Sequence, residues 1–115
     1  MSKELVMYAR TAGCPFVTLA KRVLKDYSVP YREINMDQNP DAKQRVLDWT
    51  GFLSVPTLIV ANPGEDLPYE PEAPLEKGRS PRGIDRGTMI TEPSWEEFSE
   101  FLLRHGFISE IMPVD

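Results

Sequence analysis

Proline constrains this chain more than any other residue. It has no backbone N–H and a fixed φ, so it is tolerated in the first turn of a helix, at the start of a strand and in turns, but not inside a helix. The positions of the eleven prolines therefore mark where regular structure can begin and where it must stop. Upstream of the first of them, Glu4 to Ala9 reads as a strand, its apolar cluster Leu5, Val6, Met7 and Tyr8 suiting burial on both faces. Thr11-Ala12-Gly13 is then a turn. Pro15 opens a helix in which Phe16, Leu19, Ala20, Val23 and Leu24 recur at helical spacing to about Asp26, and Ser28-Val29-Pro30 breaks it. Tyr31 to Asn35 alternates as a second strand. Asn39 caps a second helix that has Pro40 at its first position and runs to about Trp49, with Val46 and Trp49 facing inward and Gly51 ending it. Val55-Pro56 leads into a β-branched third strand, Thr57 to Ala61.

Five of the eleven prolines fall within 62–83, a stretch with little apolar periodicity, which predicts a long, mobile loop. A weaker fourth strand is expected somewhere in Ile84 to Ile90. Ser94 with Glu97 three residues later fits a capping box for a last helix through Phe98, Phe101 and Leu102, stopping near Gly106. The sum is one domain over residues 1–115, with 62–83 as a loop insertion and 107–115 as a tail. With 41% hydrophobic and 27% charged residues the chain has an ordinary globular balance, large enough for a core without disulfide support.

A net charge of −5 argues against a broad phosphate-binding surface, and nucleic acid is not an expected partner. The run Leu5 to Tyr8 is too short for a secretory signal and no stretch approaches a membrane span, so no membrane association is expected. The one cysteine, Cys14, cannot form an internal disulfide, and a free thiol suits a reducing compartment, here read as the cytoplasm. A strand that turns into a helix places Cys14 beside unpaired backbone amides, whose positive partial charge favours an anionic sulfur. A lone cysteine is often only a small buried hydrophobe. Gly13 before it and Pro15 after it favour an accessible helix-start nucleophile instead. The only histidine, His105, reads as a residue at the end of the last helix.

The segment Tyr8-Ala9-Arg10-Thr11-Ala12-Gly13-Cys14-Pro15-Phe16-Val17 resembles the glutaredoxin active site, with Val17 in place of the second cysteine, and Ser54-Val55-Pro56-Thr57 resembles that family's Thr-Val-Pro element about forty residues on. The resemblance covers 3–61 well and 84–105 loosely. It implies an α/β thioredoxin fold: a four-stranded mixed sheet, expected with two parallel and one antiparallel pairing, three flanking helices and the Pro-rich loop between strands 3 and 4. It implies a cis Val55–Pro56 bond. It further implies glutathione as co-substrate, with Cys14 as nucleophile, Arg10 on the glycine carboxylate, Phe16 shaping the groove, and Val55, beside Pro56, offering its backbone to the extended peptide.

The departures matter equally. Without a second thiol, only monothiol exchange on glutathione mixed disulfides remains, a role in cell redox homeostasis with glutathionylated or disulfide-bonded proteins as partners. The family's Gly-Gly-x-Asp, which holds the γ-glutamyl end, is replaced by Ile90-Thr91-Glu92-Pro93, so Thr91 and Glu92 are the candidates to substitute, or else pack the strand end. Phe52 and Leu53 replace residues often polar in glutathione-using members, and read either as an apolar docking patch or as core. Two other readings stay open: a carrier in which two chains and two glutathiones ligate an iron–sulfur cluster, against which Pro15 and Val17 count, and a non-catalytic protein-binding module. The first reading needs no resident metal and a monomer suffices.

Overall fold

The computed structural model describes residues 3–11, 14–76 and 78–112. Seven elements follow one another: β1 (Glu4–Ala9), α1 (Pro15–Asp26), β2 (Arg32–Asn35), α2 (Pro40–Thr50), β3 (Thr57–Ala61), β4 (Met89–Thr91) and α3 (Trp95–Arg104). The sheet order is β2-β1-β3-β4. This is the thioredoxin-type α/β architecture expected from the sequence.

Local chemistry accounts for the helix ends. Asn39 accepts a hydrogen bond from the Ala42 N–H, Pro40 stands at the first helical position, and Gly51, in the left-handed region at φ 78°, donates its N–H to the Leu47 carbonyl to close α2. At α3 both arms of the capping box form: the Ser94 hydroxyl accepts from Glu97 N–H and the Glu97 carboxylate accepts from Ser94 N–H.

The pairing directions correct the sequence expectation. β1 runs parallel to β2 alone, with Ala9 opposite Asn35. It is antiparallel to β3, with Tyr8 opposite Thr57, and β3 is antiparallel to β4. The sheet therefore has one parallel and two antiparallel pairings. The reason lies in where α2 delivers the chain. It starts beside the C-terminal end of β1, where Met36 N–H bonds the Ala9 carbonyl, and the loop after it returns to Cys14 at that same end. β3 must therefore enter where β1 leaves, and run back. The fourth strand is also displaced, to Met89–Thr91, because Asp85 accepts from Gly87 N–H and makes the residues before Thr88 a turn.

β1 from Leu5 onward and all of β3 are buried, so the sheet is covered on both faces. Tyr8 meets Trp49 of α2 edge to face at 5.2 Å. The helices α1 and α3 lie against one another, and bury Val17, Ala20, Val23 and Leu24 on the first and Phe98, Phe101 and Leu102 on the second. Each of these side chains except Ala20 contributes about 1.5–3 kcal/mol by burial.

Among its described residues the segment 62–83 has no helix or strand, as expected, but it is tied down rather than free. Tyr69 N–H bonds the Val60 carbonyl, the Tyr8 hydroxyl donates to the Asp66 carbonyl, and Arg32 pairs with Asp66 at 2.6 Å. Farther along, Arg86 is 5% exposed and donates to the carbonyls of Ala73 at 2.7 Å and Trp49 at 2.6 Å, with Glu72 3.9 Å away. Among the described residues, no helix is long and apolar enough to cross a membrane.

Candidate active site

Cys14 is the N-cap of α1, with extended backbone at φ −138° and ψ 130°, and its carbonyl accepts the Thr18 N–H. The proline at the first helical position cannot compete for the sulfur, since it has no N–H. Half-buried, the thiol donates to the Val55 carbonyl across 3.6 Å. The Val55–Pro56 peptide is cis, as the resemblance implies. Pro56 in turn accepts the Glu92 N–H at 2.9 Å, so the sulfur, the proline loop and the end of β4 form one wall.

A cleft of about 380 Å³ opens along this wall, lined by Cys14, the run Phe52 to Val55, Ser80 to Arg82, and Glu92. That volume is within the roughly 300–1,000 Å³ of small-molecule sites. Four of the sequence-derived residues gather here: Cys14, Val55, Pro56 behind it, and Glu92. Phe16 is half-buried and does not itself line the cleft; its ring centre lies 4.8 Å from the guanidinium of Arg82, which does. Phe52 and Leu53 also line the cleft.

Arg10 and Thr91 are placed elsewhere. Arg10 Nε pairs with Asp37 at 3.3 Å, and the same carboxylate accepts the Thr11 N–H at 2.8 Å. That amide first, and the Arg10 guanidinium after it, hold Asp37 below the usual carboxylate range. Arg10 is thus engaged beside the C-terminal ends of β1 and β2 and does not line the cleft. Thr91 is 1% exposed and its hydroxyl lies 3.1 Å from that of Thr57. Thr57 donates to the Ser54 carbonyl, so Thr91 donates to Thr57, and its side chain serves strand packing. Val17, where a second cysteine would stand, is buried in the core.

Sequence reasoning missed Ser80, Pro81 and Arg82. Nothing local marks them: they sit in an aperiodic loop and reach the cleft because Gly83 N–H bonds the Thr91 carbonyl at 2.7 Å and Arg82 bridges Thr91. Gly83 has φ 73°, and a Cβ there would come within 2.7 Å of the Glu97 carboxylate, so this tether requires glycine.

No curated protein matches the sequence. The family model described as Glutaredoxin matches residues 5–63, just over half of the 115-residue chain, and spans both the Cys14 turn and the Val55–Pro56 loop. With that match and the four-stranded mixed sheet flanked by three helices, this chain belongs to the glutaredoxin family.

Proposed function

We propose that the protein is a monothiol oxidoreductase that reduces glutathione mixed disulfides, with Cys14 as its nucleophile. The observation that carries the reading is the placement of the chain's one cysteine: at the start of α1, facing a ligand-sized cleft and in contact with the Val55 carbonyl. The family as a whole uses glutathione and disulfide substrates.

The chemistry needs no base beyond solvent. In the unliganded site the S–H proton is directed at the Val55 carbonyl. A glutathione peptide docking alongside Val55 as an added strand offers its own N–H to that carbonyl and displaces the thiol hydrogen. The sulfur then loses its proton to water and, as thiolate, attacks the glutathione sulfur of the mixed disulfide. The old S–S bond breaks and the substrate leaves as a thiolate, which takes a proton from solvent. Cys14 now holds glutathione in a new disulfide. A second glutathione, as thiolate, attacks that glutathione sulfur; glutathione disulfide departs and Cys14 regains its thiol. The substrate sulfur is reduced and one glutathione thiol is oxidised, the other half of the glutathione disulfide being the glutathione that the substrate brought. Buried Val17 offers no thiol for an internal disulfide, which holds the cycle to these two exchanges.

Cys14→Ser tests the reading on a glutathionylated peptide supplied with excess glutathione. Turnover by the variant falls to the rate measured without protein. A variant that turns over as fast as the unmutated chain overturns the proposal.

A further inference from the structure

Cys14 borders a second cavity, which the exchange with glutathione does not use. It holds about 490 Å³ and is lined by Cys14, Pro15, Thr18, Leu19 and Arg22. The last four stand at successive three- and four-residue steps, so they form one stripe along α1 with Cys14 at its head. Pro15, Thr18 and Arg22 are exposed, and Leu19 is half-buried against the core. Phe16, between them in sequence, turns its ring to Arg82 of the thiol cleft instead. Among the described residues the two cavities share Cys14 alone.

The stripe also ends in a cation that is weakly held. On a chain of net charge −5, α1 carries Lys21, Arg22 and Lys25 against one carboxylate, Asp26. Lys21 pairs with Glu33 at 3.1 Å. Arg22 Nε is 4.0 Å from Asp26, too far for a hydrogen bond, and its side chain is 78% exposed.

A glutathione mixed disulfide has two halves, and Val55, against which the glutathione half docks, lines only the thiol cleft. We infer that the groove along Pro15, Thr18, Leu19 and Arg22 receives the other half, a polypeptide, and selects one with an apolar side chain two residues and a carboxylate four residues from its glutathionylated cysteine. The inference rests on the oxidoreductase reading and names the substrates of that site. An S–S bond of about 2 Å keeps the substrate cysteine beside Cys14 during exchange. At the helical rise, Leu19 lies about 7.5 Å and Arg22 about 12 Å along α1 from Cys14. An extended peptide advances about 3.4 Å per residue and turns alternate side chains to one face. The second and fourth side chains from the cysteine therefore reach Leu19 and Arg22 on the face that carries the sulfur. Leu19 with the Pro15 ring offers apolar surface to the nearer one. The Arg22 fork accepts a carboxylate from the farther one, and the exposed pair with Asp26 is too weak to prevent it.

The test compares turnover of glutathionylated peptides that carry leucine two residues and aspartate four residues to either side of the cysteine, so that either chain direction fits. In a second peptide serine replaces leucine, and in a third lysine replaces aspartate. The unmutated protein has kcat/KM lower by about tenfold on the serine peptide and about threefold on the lysine peptide. Arg22→Glu, a surface change, reverses the order of the aspartate and lysine peptides, and Leu19→Ala narrows the gap between leucine and serine. Each preference is a ratio within one protein, so a loss of folded protein does not imitate it. Equal turnover of the three peptides, or an order unchanged in Arg22→Glu, overturns this inference while the oxidoreductase reading stands, provided the small mixed disulfide of glutathione and 2-mercaptoethanol is reduced. If the unmutated protein reduces neither that compound nor any peptide, both fall.

Discussion

Two regions of this molecule are ordered by different means. In the family-matched half, every residue of β3 and all of β1 from Leu5 on are buried. In 64–88, among the described residues, only Pro81, Arg86 and Thr88 are buried. The first region is held by apolar area, which is non-directional and tolerant. The second is held by a few directed hydrogen bonds, above all those of Arg86 to Ala73 and Trp49. Burial holds the Arg86 guanidinium below its usual range, with Glu72 opposing that shift. A directed device of this kind orders a chain without a core of its own, but it depends on single residues. Because the same strap brings Arg82 to the thiol cleft, its order and the shape of the site are one question.

The sharpest way to break the comparison is in the core. Phe101 is fully buried on α3, and Phe101→Ala costs about 3–5 kcal/mol. Chemical denaturation reads that loss as one transition in which the strap unfolds with the sheet, since it has no separate core. A smaller and local effect belongs to Arg86→Met, which leaves the Trp49 and Ala73 carbonyls without their donor, at about 1.5–3 kcal/mol. Hydrogen exchange then speeds up at the Ala73 amide, which bonds the Arg86 carbonyl, while the β1 and β3 amides keep their protection. Equal acceleration in both regions would dissolve the distinction.

The smallest effect is a pH dependence at the seam between the two regions. His105 Nε2 lies 2.7 Å from the Gly87 carbonyl and its ring packs 4.6 Å from that of Phe101. Burial holds this imidazole below the ordinary histidine range; the Gly87 carbonyl and Asp85 oppose, and Arg104 adds to the lowering. Its neutral form is therefore preferred in the folded chain. The sign follows from linkage: the contribution is complete above the unfolded value near 6.5 and is lost as pH falls through the lower folded value. Thermal melts from pH 7.5 to 5 show a declining midpoint, less steep in His105→Gln. Equal slopes in the two proteins would place the titrating group elsewhere.

Much of the fold was readable because its signals are local. Asn39, Pro40 and Gly51 bound α2, and Ser94 with Glu97 opens α3, through bonds that span only a few residues. Cys14 and the Val55–Pro56 loop were readable for the same reason, each lying where a strand meets its neighbouring turn. The pairing of Arg10 with Asp37 was not legible, because the two lie 27 positions apart and are brought close only by the parallel register of Ala9 with Asn35. The antiparallel entry of β3 was missed because a helix's own sequence does not state where it leaves the chain relative to the sheet.

Sequence alone determined the seven elements, the family of the fold and the residue that carries the sulfur, since periodicity, caps and proline act within a few residues of one another. Tertiary structure decided the pairing directions, the diversion of Arg10 to Asp37, the burial of Arg86 and the arrival of Arg82 beside Cys14. Each of these is a contact between distant segments, and its energy exists only once the sheet has brought them together.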